Sequence, residues 1–432
     1  MLPRSAFIFF LAGLILTGCD TKNPGVAGSR QAFIGARIID GAGAEPIENG
    51  VLLVNAGRIE TVGPAATVPI PKDAERIDLR GKTVLPGLIN AHGHVGGTLG
   101  LEGGHYSEEN VLRQLRLYAR YGVTTVNSLG GDGEAGARLR SVEKSPGLNR
   151  ARLLVAGDVV TGDTPKQVRD VIDRNAAMKV DFIKIRVDDN LGSGEKMPPE
   201  IYRAVIEHAH RKGLRVAAHL FYLEDAKALL KNGADFLAHS VRDREVDDEF
   251  IQLLKEKGVG YCPTLVREVS TFVYEDVPDF FNDPFFLKEA DPLVLTQLKN
   301  PERQERLKKS AAAQQYKKAL EMALRNLKKL SDAGVTIVFG TDTGPPARFQ
   351  GYFEHLELEL MAKAGLTPMQ IIVAATGAAA KSLGLDDRGT LEAGKWADFI
   401  VLSADPLENI TNARSIESVW IAGNRVPEKE GS

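Results

Sequence analysis

Over residues 32–85 apolar and polar positions alternate in short runs broken by Gly and Pro, as in AFIGARIID, GVLLVNAGRIETVG and AERIDLRGKTVLPG. An alternation of period two predicts half-buried β-strands. The same texture returns over 389–427, in KWADFIVLSAD and SIESVWIAGNRV. Between these ends the pattern changes to short apolar runs separated by amphipathic stretches. The apolar runs predict strands at 88–92, 123–128, 152–156, 181–186, 215–220, 236–239, 260–264 and 336–341. Helical periodicity predicts helices at 107–121, 165–178, 199–212 and 247–257. Strands alternating with helices in this way predict an α/β fold, a (β/α)8 TIM-like barrel over 86–384. A doubly wound open sheet is the alternative. Segments 31–85 and 385–432 are expected to meet as one small composite β-sandwich domain. Residues 302–330 are expected to form one long basic helix, with Leu307, Leu320, Leu324, Leu327 and Leu330 on its inner side and a solvated face opposite.

The first residues read as an address. MLPRSAFIFFLAGLILTGCD carries one basic residue, Arg4, then an apolar run too short to cross a bilayer comfortably. Leu16-Thr17-Gly18-Cys19 resembles a bacterial lipoprotein box, which predicts removal of 1–18 and lipidation of Cys19. A plain secretory signal or an uncleaved anchor is the competing reading. Residues 19–30 are polar with Gly and Pro and read as a tether. The expected product is exported and held on a bacterial membrane, on the periplasmic or cell-surface side, by its acyl chains alone.

Composition narrows the chemistry. Hydrophobic residues make up 43% and charged residues 26% of 432, the balance of a globular chain. A formal net charge of −3 offers no basic footprint for nucleic acid. Two cysteines exclude a disulfide framework and a four-thiolate metal site, so the eight histidines and the carboxylates must supply any reactive centre.

Four histidines fall at predicted strand ends. His92 and His94 close PGLINAHGHV, and in a strand residues i and i+2 share a face, so both rings can reach one metal ion. His208 and His210 have the same spacing inside a helical run, where two residues span about 200° and joint chelation fails. His219 ends AAHLF, His239 ends FLAHS, Lys184 lies in DFIKIRV and Asp342 in VFGTDTG. Each alone has a dull reading as a core histidine or an ion-pair partner. Together they mark the end of a barrel at which active sites sit, and they point to a metal centre.

VLPGLINAHGHV, VDFIKI, VAAHL, GADFLAHS, FGTDTG and GTLEAGKWADFIVLSADPL together resemble the metal-dependent amidohydrolase superfamily over 31–427. The resemblance implies a binuclear, carboxylated-lysine enzyme of the prolidase-like or dipeptidase-like kind. Carried over by position, His92, His94 and Asp342 hold one divalent ion, His219 and His239 the other, and Lys184 bridges them as a CO2-derived carbamate; the ions are usually zinc. The implied reaction is amide hydrolysis of a small molecule, most plausibly a dipeptide or an N-acyl amino acid. A hydroxide shared by the ions attacks, and Asp342 moves the proton as general acid/base. Ester, lactone, carbamate or organophosphate hydrolysis uses the same kind of site, and a non-catalytic lipoprotein binding module is the rival from another class.

Two departures are visible. Asn90 stands where relatives carry Asp, which bears on a hydrogen bond behind the ligands. Deaminase and imidazolonepropionase branches place Glu three residues after the His219 position; here that residue is Tyr222, with Glu224 two further on. The loop Gly131-Asp132-Gly133-Glu134-Ala135-Gly136 satisfies GxGxxG, but its acids repel a pyrophosphate. Substrate contacts are expected from Arg186, Tyr222, Arg267 and His355. Either guanidinium suits a substrate carboxylate, with ion pairs to Asp188 or Glu268 as the bland alternative. The aromatic excursion over 266–300 is expected to be a lid or a contact in a homo-oligomer.

Overall fold

The computed structural model describes residues 30–429. The expected leader 1–18, the expected lipidation residue Cys19 and all but the last residue of the expected tether lie outside the described residues. Five strands open the described chain: β1 (Gln31–Ile38), β2 (Ile47–Asn55), β3 (Arg58–Pro64), β4 (Glu75–Asp78) and β5 (Thr83–Pro86). The central part carries β6 (Leu88–Gly93), a short hairpin of β7 (Thr98–Leu99) and β8 (Glu102–Gly103), then β9 (Val123–Ser128), β10 (Arg152–Val155), β11 (Phe182–Val187), β12 (Arg215–Leu220) and β13 (Phe236–Leu237). Strands β14 (Phe399–Leu402), β15 (Ile416–Ile421) and β16 (Asn424–Arg425) close it.

Both ends of the described chain share one sheet, in the order β16-β15-β14-β5-β1-β2-β3, with β4 also paired to β1. The antiparallel pairing of β14 with β5 sets Phe399 opposite Pro86 and makes the two ends neighbours. Phe33, Phe399 and Trp420 meet on its buried face, with Phe33 in edge contact at centroid distances of 4.9 and 4.8 Å. A buried ion pair ties this sheet to the centre. Arg152 of β10 donates to Asp398 at 2.6 and 3.0 Å, and the two side chains are 0% and 3% exposed.

The centre is mixed α/β, with two parallel sheets, β10-β9-β6 and β11-β12-β13. Every side chain of β6 and β9 is buried, as two-sided parallel strands require. The strands expected at 260–264 and 336–341 reduce to single parallel bridges, Leu237 to Tyr261 and Tyr261 to Ile337, while Gly93 bridges Thr343. Local chemistry explains both. Pro263 has no N–H for a ladder, and Thr264 turns into the left-handed region at φ 49°. The amides of Thr341 and Asp342 both donate to the single carbonyl of His92. Gly340 lets this segment close on β6, because a Cβ there would stand 2.9 Å from the His92 nitrogen and 2.5 Å from Cys262 Sγ.

The four expected helices appear as Glu108–Arg120, Pro165–Ala177, Pro199–Arg211 and Asp248–Lys257. Three of their starts follow from side-chain caps, Ser107, the Thr164/Gln167 capping box and Asp247, each of which satisfies an orphan amide, and the fourth has Pro199 at its first position. The single helix expected over 302–330 is instead two, Pro301–Lys308 and Ala311–Asp332. Ser310 starts the second by accepting from the Ala313 amide, a local bond that competes with continuing the first. In the aromatic excursion Tyr274, Phe281 and Phe286 are only 2–3% exposed and pack with Phe349 and Phe353 into the protein's own core, while Phe272, Phe280 and Phe285 are partly buried against it. Among the described residues no helix is long and apolar enough to cross a membrane.

Candidate metal centre

Four imidazoles form a row at the ends of β6, β12 and β13. Ring centroids are 5.6 Å apart for His94 and His92, 4.7 Å for His92 and His239, and 4.2 Å for His239 and His219. His92 and His94, two apart at the end of β6, turn to the same side. Their Nε2 atoms lie 3.5 and 2.9 Å from Asp342 Oδ1. The three ligand atoms sit within 4.8 Å of one another, close enough to share one ion. Lys184 enters from β11, its Nζ 3.2 Å from His92 Nε2.

Hydrogen bonds set which nitrogen faces inward. His94 Nδ1–H donates to the Gly130 carbonyl at 3.1 Å, leaving Nε2 for the centre. His239 Nδ1 lies 2.7 Å from Thr264 Oγ1, and its buried Nε2 has no partner among the described residues. His219 Nε2 is held at 2.7 Å by Asp188 Oδ2. Burial drives the His92, His219 and His239 rings to the neutral, ligand-competent form. It pushes His92 and His239 well below the usual histidine range, and His219 down to about 3 against the pull of Asp188. Lys184 is likewise lowered by burial, to about 8, with Asp342 opposing. No Asp or Glu among the described residues forms an ion pair with it, so a charged ammonium would be an unpaired buried cation. At Asp342 burial works upward, but the Arg348 guanidinium and the His92 and His94 rings outweigh it and hold the carboxyl well below its usual range.

Asp342 adopts φ 58°, a left-handed backbone that non-glycine residues rarely take. The next turn comes so close to His94 that a Cβ on Gly344 would stand 2.1 Å from its carbonyl oxygen. Asn90, the departure from the family pattern, holds the backbone: its Oδ1 accepts the His92 amide at 3.0 Å while Nδ2 donates to Glu354 at 2.8 Å.

The four expected substrate contacts divide. Arg186 is the open guanidinium, its side chain 41% exposed, paired with Asn190 and 3.6 Å from Asp188. Tyr222 donates to Asp189 at 2.8 Å. Arg267 is taken up by Glu268 at 3.0 Å and Tyr316 at 3.3 Å. His355 is not a site residue in this structure. It is 1% exposed, bonds the Tyr121 carbonyl at 2.9 Å and packs on Phe285. His208 and His210 sit on one helix and pair with different acids, Asp173 and Asp235. The GxGxxG loop folds onto β10, where Asp132 accepts the Ala156 amide at 2.9 Å.

Arg348, Thr264, Glu354, Glu357 and the bond from Asp188 to His219 were not legible as site features. Asp188 alone left a signal, because 184, 186 and 188 share the period-two face of β11.

A family model described as the amidohydrolase family matches residues 83–426. The imidazolonepropionase of Deinococcus radiodurans is 25% identical over 400 residues, covering 87% of this chain and 92% of that protein. That of Deinococcus deserti is 37% identical over 103 residues, which are 23% of this chain and 26% of that protein. A solved structure from Bifidobacterium longum, provisionally assigned as a prolidase, superposes with a TM-score of 0.74 at 26% identity over 93% of this chain and 95% of that one.

Proposed function

The chain belongs to the amidohydrolase family and is a hydrolase acting on carbon–nitrogen bonds, and on that premise we propose that it cleaves the amide bond of a dipeptide or an N-acyl amino acid. The observation that carries this reading is a buried lysine with no ion-pair partner among the described residues, set beside a row of four imidazoles and Asp342. As a carbamate, Lys184 becomes an anionic oxygen donor and the unpaired cation disappears. The donor set fits two divalent ions, zinc suiting its nitrogen and oxygen ligands. His92, His94 and Asp342 would hold one, His219 and His239 the other, with Lys184 between them. When bound, such ions activate water and polarise the scissile carbonyl.

The protein's own groups then have distinct tasks. Asp342 takes the proton of the attacking water and delivers it to the leaving nitrogen, with Arg348 keeping the carboxylate ionised between turnovers. Asp188 and Thr264 aim the His219 and His239 rings. Arg186, the exposed guanidinium on the strand of Lys184, is the group placed to take a substrate carboxylate.

Sequence similarity runs to imidazolonepropionases, but the dipeptidase-like reading is supported at position 222. No carboxylate follows His219 by three residues, and the Glu224 side chain is 68% exposed beside Lys227. We further infer that the parallel strands and their bridges close as a (β/α)8 barrel, and that the mature protein is lipid-anchored through Cys19. Mass analysis showing an unmodified Cys19 on a cleaved chain would refute the anchor. The central test is metal analysis and turnover of a dipeptide and N-acyl amino acid panel. Two ions per chain with amide turnover support the reading, and a protein that binds no metal refutes it.

A further inference from the structure

The helix Tyr352–Lys363 follows Asp342 and carries two fully buried carboxylates one turn apart, Glu354 and Glu357, both 0% exposed. Buried carboxylates are retained against a large desolvation cost, so what they bind identifies their use. Glu354 reaches one half of the metal centre. It accepts from Asn90 at 2.8 Å, Thr341 at 2.7 Å, Thr343 at 2.5 Å and the Gly351 amide at 2.6 Å. Asn90 holds the His92 backbone, and Thr341 and Thr343 flank Asp342 on either side. Glu357 reaches the other half. Its two oxygens accept the amides of Leu265 and Val266 at 2.8 and 2.7 Å, the first turn of the short helix that begins after Thr264. Thr264 in turn bonds His239.

We infer that this helix is the bracket of the binuclear centre: Glu354 and Glu357 are positioning residues, one for each ion, and their one-turn spacing sets how far apart the two ligand groups stand. The inference rests on the two-ion reading above. A glutamine cannot replace either residue, because its NH2 would face a donor: Asn90 or Gly351 at position 354, and a backbone amide at position 357. Groups that orient metal ligands in this way are worth about tenfold to a hundredfold in metal affinity.

The test is titration of the metal-stripped full chain with Co(II) against a competing chelator, read by visible absorption and by ions bound per chain. His94→Asn and His219→Asn identify the band belonging to each ion. Glu354→Gln should weaken the ion on His92, His94 and Asp342 by about tenfold to a hundredfold and spare the other. Glu357→Gln should do the converse, and Glu359→Gln, on the same helix but paired with Arg414, should change neither. Should either buried variant fail to fold, Thr343→Val and Thr264→Val break the same links one bond further on and are read identically. Wild-type affinities and spectra in both variants, or equal losses at both ions, overturn the bracket. A wild-type chain holding fewer than two ions overturns the two-ion reading, and the bracket with it, before any variant is compared.

Discussion

Asp398→Ala removes the partner of the most deeply buried arginine that joins the end sheet to the central strands. Arg152 is 0% exposed and makes two charge-assisted bonds to Asp398. After the substitution it keeps only the Glu143 carbonyl and the face of Trp396, whose centroid lies 4.5 Å from the guanidinium carbon. The Ala422 amide, which donates to Asp398 at 2.7 Å, loses its acceptor as well. Removing one member of a buried pair costs about 3–5 kcal/mol, because the surviving charge stays desolvated. Taking about 4 kcal/mol, the folded-to-unfolded ratio falls roughly a thousandfold. Against a total stability of about 5–15 kcal/mol this is a large fraction. Urea unfolding followed by tryptophan fluorescence measures it directly, since Trp396 sits on the affected arginine and Trp420 lies in the same sheet. The midpoint should fall with little change in slope. The double variant Arg152→Met/Asp398→Ala should recover part of the loss, because no desolvated charge remains while the Ala422 amide still lacks its acceptor. A cost below about 1 kcal/mol for Asp398→Ala, the size of an exposed pair, would show that the contact is solvated and does not tie the two parts together.

Asp342→Asn is expected to lower kcat by about two to four orders of magnitude with metal content retained, and near-normal turnover would remove the proton-transfer role. Chelation should abolish hydrolysis and lower Tm, and adding back Zn(II) should restore both; a chelator-treated, metal-free protein with full activity contradicts a metal-dependent reaction. Arg186→Ala should raise KM for carboxylate-ended substrates with little change in Tm. Arg267→Ala should lower Tm, because Glu268 would keep only the Arg242 guanidinium 2.9 Å away. Equal KM for both variants and wild type would discard Arg186 as the carboxylate contact. Gly344→Ala should weaken binding of the ion at His94, since the added methyl meets the His94 carbonyl at 2.1 Å on a backbone at φ 111°; unchanged Co(II) affinity would show that the turn relaxes without moving the ring.

Strand periodicity, helix starts and the placement of His92, His94, His219, His239, Lys184 and Asp342 were legible in the chain because each is local. A two-residue repeat decides which side chains share a face, and a Ser, Thr or Asp before an amphipathic run decides where a helix begins. The same local logic separated His92 and His94 from His208 and His210, and the structure keeps them apart. It failed where a contact competes with a pattern: at Ser310, where a cap splits one helix into two, and at 260–264 and 336–341, where Pro263 and the shared His92 carbonyl reduce strands to bridges. It also failed for groups defined by distant partners. Arg348 on Asp342, Asp188 on His219, Thr264 on His239 and the carboxylates of Glu354 and Glu357 are ordinary polar residues until folding buries them beside a donor or a charge. Tyr274, Phe281 and Phe286 of the aromatic excursion become core because Phe349 and Phe353, distant in the chain, pack against them. The candidate ligands were therefore legible in local spacing. The aim of each ligand, and the fate of every charge behind it, was decided by long-range packing, which alone sets the desolvation that makes a buried polar group seek one particular partner.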